Sequence, residues 1–335
     1  MSDPASRLKR FLTANGSDDA FHALTADAST REYFRVKRDG RNAVACVYPE
    51  PLDEAQQTYL DVTNLFLASG LPVAKIFTHD KDLGVIVQED LGDTILRDVI
   101  DEADATRRGD LIDEAIGLIA RIQAATDTAF ELDSVASRLR FDTEKLLWEL
   151  NYFKTNFFAT FLKRPLSSVD DERISKEFLE LSMELESRSS VLCHRDFHAA
   201  NLMIDTGGNM RIIDHQDARI GSPAYDLVSL LLDRVTELPT EEWLAARRKN
   251  LLEKRAVLGL EEINEGKFDR EFKLQTIQRC LKAAGTFSYQ SIVRGKTHFI
   301  PFIEPMLASA VSAAHSSDQF PAIRDILGRE IELTP

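Results

Sequence analysis

Residues 194–201 read His194-Arg195-Asp196-Phe197-His198-Ala199-Ala200-Asn201, and thirteen positions beyond Asn201 the apolar run Met210-Arg211-Ile212-Ile213 ends in Asp214. The Asp-x-x-x-x-Asn spacing sets a carboxylate and an amide on one loop. Phosphoryl transfer uses that arrangement to orient an acceptor hydroxyl and to hold a divalent cation. Asp196 is therefore the candidate catalytic base and Asn201 a candidate metal ligand. Asp214, a carboxylate closing the next strand, adds a second hard oxygen donor suited to Mg²⁺ that bridges nucleotide phosphates. His, Asp and Asn also meet in ordinary turns, so the weight rests on the loop and the second acid together. His194 and Arg195 read as braces of the loop rather than as groups that touch substrate.

Upstream of this loop the chain reads as a small sheet. Tyr33-Phe34-Arg35-Val36 alternates apolar and polar, and Ala43-Val44-Ala45-Cys46-Val47-Tyr48 follows across Asp39-Gly40, which predicts a hairpin. A helix is expected from about residue 53 to 68, with Tyr59, Val62, Leu65 and Phe66 on one face and Ser69-Gly70 as its stop. Strands at 73–78 and 84–88 flank a turn at 79–82, and Leu91-Gly92 closes the segment. The order β-β-α-β-β defines an N-terminal lobe over residues 1–91. From 92 to 335 the patterning is mainly helical, with helices expected at 106–125, 142–162 and 171–186 and again from Ala224 onward. Within the second of these, Trp148, Tyr152 and Phe157 fall at a spacing that reads as helix core.

Composition bounds the function. The chain has 335 residues, 44% of them apolar and 8% aromatic, enough for two lobes of a globular enzyme. Cys46, Cys193 and Cys280 are too few and too scattered for a disulfide framework or a zinc site. No apolar run approaches a membrane span, and residues 1–15 lack the apolar stretch of a signal peptide, so a cytoplasmic location without membrane attachment is expected. A net charge of -14 argues against nucleic acid as a partner, because a phosphate backbone calls for clustered Lys and Arg. Residues 241–296 carry twelve Lys and Arg against eight Asp and Glu, a mildly basic stretch unsuited to a polycationic substrate.

Beyond the loop, several stretches resemble the aminoglycoside phosphotransferase-like kinases, and within them the anomeric sugar kinases acting on N-acetylmuramate and N-acetylglucosamine. They are Asp27-Ala28-Ser29-Thr30-Arg31-Glu32-Tyr33-Phe34-Arg35-Val36, Glu89-Asp90-Leu91-Gly92-Asp93, Asp214-His215-Gln216-Asp217-Ala218, Tyr225-Asp226-Leu227-Val228-Ser229-Leu230-Leu231 and Lys282-Ala283-Ala284-Gly285-Thr286-Phe287. The resemblance implies an α+β, protein-kinase-like fold of two lobes, with a small antiparallel sheet and a larger mainly helical lobe. It implies ATP and Mg²⁺ as cofactors and a small-molecule sugar or alcohol as substrate, with the adenine against backbone near Gln88, Glu89 and Leu91. The phosphates would lie under the Ser29-Thr30 turn, which lacks Gly-x-Gly-x-x-Gly but offers hydroxyls and backbone amides. Asp226 resembles the helix aspartate that supports the catalytic loop, while His198, Asp217 and Arg219 are candidates for the acceptor.

The chain also departs from the pattern. Val44-Ala45-Cys46-Val47 stands where kinases place a strand lysine, as the sugar-kinase branch also shows, leaving Arg31, Arg35 or Lys37 to supply a cation. Ala200, His215 and Asn156 stand where that branch has Arg, Phe and Trp, in regions expected to shape the acceptor pocket, with Arg219 or Lys154 as compensating charges. Other readings are a kinase of another small alcohol such as choline, homoserine or an aminoglycoside, and a nucleotide-binding pseudokinase module.

Overall fold

A computed structural model describes residues 3–16, 20–24, 31–53 and 57–331. The chain divides into two compact units. The first comprises Met1–Arg107, Thr128–Val135 and Ala199–Asp217, and the second Arg108–Asp127, Ala136–His198 and Ala218–Pro335.

The first unit is built on an antiparallel sheet of β1 (Phe21–Leu24), β2 (Glu32–Arg38), β3 (Arg41–Val47), β4 (Ile76–Asp80) and β5 (Val85–Glu89), in the order β1-β2-β3-β5-β4. The β2–β3 hairpin turns at Asp39-Gly40, and both residues take positive φ, 49° and 75°, as a two-residue turn matched to strand twist requires. Period-two alternation sends Phe34, Val36, Ala43, Ala45 and Val47 to one face, where Leu8, Phe11 and Leu12 of the helix Pro4–Ala14 cover them. The other face carries Cys46, Tyr48 and Ile86, packed with Leu52 and with Tyr59 of the helix Thr58–Ala68. Pro72 and Val73 were expected to open a strand. Instead, Val73 bridges Ile212 in parallel and Pro72 accepts from the Ile212 amide, so β4 begins only at Ile76.

The remaining strands of this unit, β6 (Thr94–Ile95), β8 (Leu202–Ile204) and β9 (Met210–Ile212), form a three-stranded sheet in the order β6-β8-β9. In the second unit β7 (Val191–Cys193) pairs antiparallel with β10 (Arg219–Gly221). Helices make up the rest. The longest, Glu265–Ile292, is buried along much of its length and packs against Thr143–Lys154, Tyr225–Leu232 and Ile303–Ser316. Gly285 sets its approach to Thr143–Lys154, since a Cβ there would lie 2.5 Å from the Phe153 Cα. The expected helix at 142–162 is α-helical only to Lys154. It continues as a π-helix over Thr155–Phe161, a wider turn that accommodates the stacked Phe153 and Phe157 rings.

Candidate active site

In the second unit the chain leaves β7 into a loop held from beneath. The His194 and Arg195 amides donate to the two carboxylate oxygens of Asp226, at 2.7 and 3.1 Å. Asp226 sits fully buried in the first turn of Tyr225–Leu232, where burial pushes its carboxyl up against the opposing pull of His194 and the two amides. Arg195 adopts φ 86°, a left-handed backbone that a non-glycine residue keeps only when its surroundings over-determine it. The two amide bonds to Asp226 are such surroundings, and they fix the direction in which Asp196 leaves the loop.

Asp196 meets three cations: Lys282 Nζ at 3.1 Å, Arg279 Nη1 at 3.8 Å and Arg195 Nε at 3.8 Å. Burial alone would raise its carboxyl, but Lys282, Arg279 and Arg195 hold it well below the usual carboxylate range. Lys282 and Arg279 lie three residues apart on one side of the helix Glu265–Ile292. Neither has a role in the sequence expectations, although two cations one helical turn apart are a usable signal. The His198 amide turns back to the Asp196 carbonyl at 3.1 Å. Arg219 is buried on β10 with its guanidinium over the Phe141 ring at 5.3 Å. Lys154 is held by Asp171 and Ser175, both at 2.8 Å. Asn156 is buried and donates to the Tyr152 carbonyl. Phe157 is core, whereas Trp148 is 56% exposed, against the expectation of a buried aromatic row.

In the first unit Asn201 ends a short 3-10 turn, Ala199–Asn201, and its carbonyl accepts from the Ile213 amide at 3.1 Å. That bond draws the end of β9 against this turn, next to Asp214 in the chain. Asp214 also adopts a left-handed backbone, φ 60°, and its side chain is 43% exposed. Gln216 donates to one of its oxygens at 2.9 Å, and Arg31 Nη2 lies 3.5 Å from it. Of the three strand cations, Arg35 is held by Asp90 and Asp93, and Lys37 by Asn42. Arg31, lying over the Tyr48 ring at 5.6 Å, is the one paired with Asp214. Cys46, at the place of the missing lysine, is buried, and burial pushes its thiol up to about 11.

Gln88 accepts from the Tyr59 hydroxyl, Glu89 is paired with Arg211 at 2.8 Å, and Leu91 is buried. Asp217 is half-buried, three residues beyond Asp214 in the same unit. Ser29 and Thr30 lie outside the described residues. His215 is buried against Phe66 and Tyr59, with Nε2 2.7 Å from the Thr63 hydroxyl, so it occupies the packing place of an aromatic ring. Among the described residues no three His, Cys, Asp or Glu are grouped to hold a metal. Asn201 and Asp214 carry oxygen atoms of the hard type that Mg²⁺ binds, an ion that ordinarily takes its other ligands from water and nucleotide phosphates.

No helix of the described residues is long and apolar enough to cross a membrane. Residues 21–260 match the phosphotransferase enzyme family. A relative from Neisseria meningitidis, an N-acetylmuramate/N-acetylglucosamine kinase, is 33% identical over 84% of this chain and 82% of its own length. Among solved structures, a microcompartment-associated aminopropanol kinase aligns with TM-score 0.64 at 14% identity, covering 95% of this chain and 99% of that one. The streptomycin-ATP-APH(2")-IIa ternary complex aligns with TM-score 0.57 at 13% identity, over 90% of this chain and 97% of its own. These two likenesses establish the protein-kinase-like fold.

Proposed function

This chain belongs to the phosphotransferase enzyme family and is a small-molecule kinase, and from that premise we propose that it transfers the γ-phosphoryl group of ATP, with Mg²⁺, to the anomeric hydroxyl of an amino sugar such as N-acetylglucosamine or N-acetylmuramate. The observation that carries the kinase chemistry is the loop in which Asp226 holds the His194 and Arg195 amides while Asp196 projects as a carboxylate kept ionised by Lys282, Arg279 and Arg195. The amino-sugar acceptor is supported by the relative named above.

In this reading Asp196 accepts a hydrogen bond from the attacking sugar hydroxyl and takes its proton as the new P–O bond forms. Its depressed proton affinity makes orientation of the hydroxyl the larger part of its task, because a weakly basic carboxylate removes a proton only late in the transfer. Asn201 and Asp214 would hold Mg²⁺, which when bound neutralises charge on the β- and γ-phosphates. Arg31 supplies the cation that the third strand lacks, steadying Asp214 and facing phosphate. Gln88, Glu89 and Leu91 present backbone to the purine, and Ser29 and Thr30 cover the phosphates. His198, Asp217 and Arg219 would serve the acceptor. Residues 1–91 would then serve mainly the nucleotide and 92–335 the chemistry and the acceptor.

The test is Mg²⁺- and ATP-dependent turnover of N-acetylglucosamine, N-acetylmuramate, glucose, choline and kanamycin, with phosphorus NMR on the product. A sugar 1-phosphate is the expected result. Turnover of choline or kanamycin alone would replace the sugar with another alcohol, and nucleotide binding without transfer to any acceptor would leave a binding module.

A further inference from the structure

One strand of the first unit carries a cation to which the nucleotide and metal assignments give no part. Arg211 lies on β9 between Met210 and Ile212, both buried, and alternation along the strand turns its side chain to the opposite face. Each of its five N–H groups has an acceptor within the chain. Nη1 and Nη2 donate to the two oxygens of Glu89 at 3.2 and 2.8 Å. Nη1 also donates to Asp205 at 3.0 Å, Nη2 to the Val73 carbonyl at 3.1 Å, and Nε to the Pro72 carbonyl at 3.3 Å. The side chain is 13% exposed and locked in one plane by these bonds.

Two of the segments that Arg211 joins carry groups proposed above for the nucleotide and the metal, and the third fastens β9 itself. Glu89 ends β5, in the stretch whose backbone is assigned to the purine. Lys75 holds Glu89 from another side, its amide donating to the carboxylate at 3.2 Å and its carbonyl accepting from the Glu89 amide at 2.9 Å. Asp205 lies in the turn of the β8–β9 hairpin, where its other oxygen accepts from the Gly207 and Asn209 amides at 2.9 and 3.0 Å. One arm of that hairpin begins directly after Asn201 and the other ends two residues before Asp214, so both residues proposed for Mg²⁺ flank its open end. The Pro72 carbonyl, besides taking the Arg211 Nε, accepts from the Ile212 amide at 2.9 Å.

We propose that Arg211 is a positioning residue that fixes the hairpin bearing Asn201 and Asp214 against the strand end that seats the purine, so that nucleotide and Mg²⁺ bind as one coupled unit. The inference rests on the nucleotide and metal assignments above and adds the coupling between them. A guanidinium that meets a carboxylate through two parallel bonds sets both distance and orientation, and an ammonium does not reproduce that fork. Every donor of Arg211 is taken within the chain, so its effect passes through Glu89 and the hairpin rather than through contact with phosphate. Without the clamp each ligand keeps its own contacts, but binding of one no longer prepares the place of the other.

The experiment titrates ADP calorimetrically with and without Mg²⁺ into the full chain, unmodified and as Arg211→Met, Arg211→Lys, Glu89→Gln and the double variant Arg211→Met with Glu89→Gln. The quantity read is the factor by which Mg²⁺ tightens ADP, which does not depend on how much of a variant is folded. In Arg211→Met that factor should fall about 10-fold, a coupling of ordinary size. Arg211→Lys should recover only part of it, Glu89→Gln should lower it in the same direction, and the double variant should lose no more than Arg211→Met alone. Should Arg211→Met fail to fold, Arg211→Lys and Glu89→Gln carry the same test. A factor unchanged in the Arg211 and Glu89 variants, even with a lower melting temperature, would make the clamp a matter of stability alone and overturn the proposal. ADP binding by the unmodified chain that is absent, or indifferent to Mg²⁺, would overturn the nucleotide and metal reading on which the proposal rests.

Discussion

The loop around Asp196 and the strand end around Asp214 carry the two halves of one sequence motif, and they are held in opposite ways. Asp196 is fixed from several sides, by three cations beside its carboxylate and by Asp226 under its backbone. Asp214 is 43% exposed and, among the described residues, has one guanidinium at 3.5 Å and one side-chain amide at 2.9 Å. The difference fits the roles proposed above, in which Asp196 stays put and Asp214 exchanges partners. A group that aligns a hydroxyl loses its value when it moves, so it is worth the cost of gathering cations around it. A metal ligand must let solvent and phosphate oxygens in, and a light hold leaves room for them.

Breaking the tight side should have the largest effect. Asp196→Asn keeps the shape and removes the charge, and is expected to lower kcat by roughly 10³-fold, the range for loss of a positioned general base. Circular dichroism should show the fold retained, and a variant within about 10-fold of the parent would remove Asp196 from the chemistry. The pH profile sharpens the same point. Because its cations hold Asp196 well below the usual carboxylate range, its charge, and the stability that charge brings, is present above the unfolded-state value. Both are lost only as pH falls through the depressed folded value. The acid limb of kcat/KM should therefore fall below the range of an ordinary aspartate, and a limb inside that range would contradict the assignment.

Asp226→Ala comes next, since it leaves one buried and one part-buried amide without their acceptor. A loss of about 3 kcal/mol in stability is expected, read as a drop in urea midpoint, with Asp226→Asn milder because one oxygen remains. Equal effects from the two substitutions would mean that the amide bonds are not what matters. On the light side, Arg31→Ala should raise KM for ATP and lower kcat/KM by about 30-fold, the scale of one charged phosphate contact, with little change in melting temperature. Unaltered nucleotide kinetics would return the missing strand cation to an open question. The smallest effect is expected from His215→Phe, which keeps the stacking on Phe66 and Tyr59 and gives up the hydrogen bond to Thr63. Thr63 still donates to the Tyr59 carbonyl, so a change under about 1 kcal/mol should be seen in thermal unfolding.

The loop and its two acids were legible because fixed chemistry at fixed spacing survives in sequence, and the β2–β3 hairpin because Asp39-Gly40 names its own turn. The helix Pro4–Ala14 is absent from the sequence expectations, although Asp3 caps it, Pro4 opens it and Leu8, Phe11 and Leu12 recur at helical spacing. Trp148 was read as core because spacing reports which residues share a helix face, not whether another element covers that face.

Sequence by itself determined the family, the two-part α+β order and the identity of Asp196, Asn201 and Asp214 as candidates, because each depends on residue type and local spacing. Only the tertiary structure decided that Arg31 rather than Arg35 or Lys37 meets Asp214, that His215 is packed away from solvent, and that Lys282 and Arg279 surround Asp196. Those pairings join residues tens of positions apart, and ion pairs across such distances follow from how helices and strands pack, which no local pattern encodes.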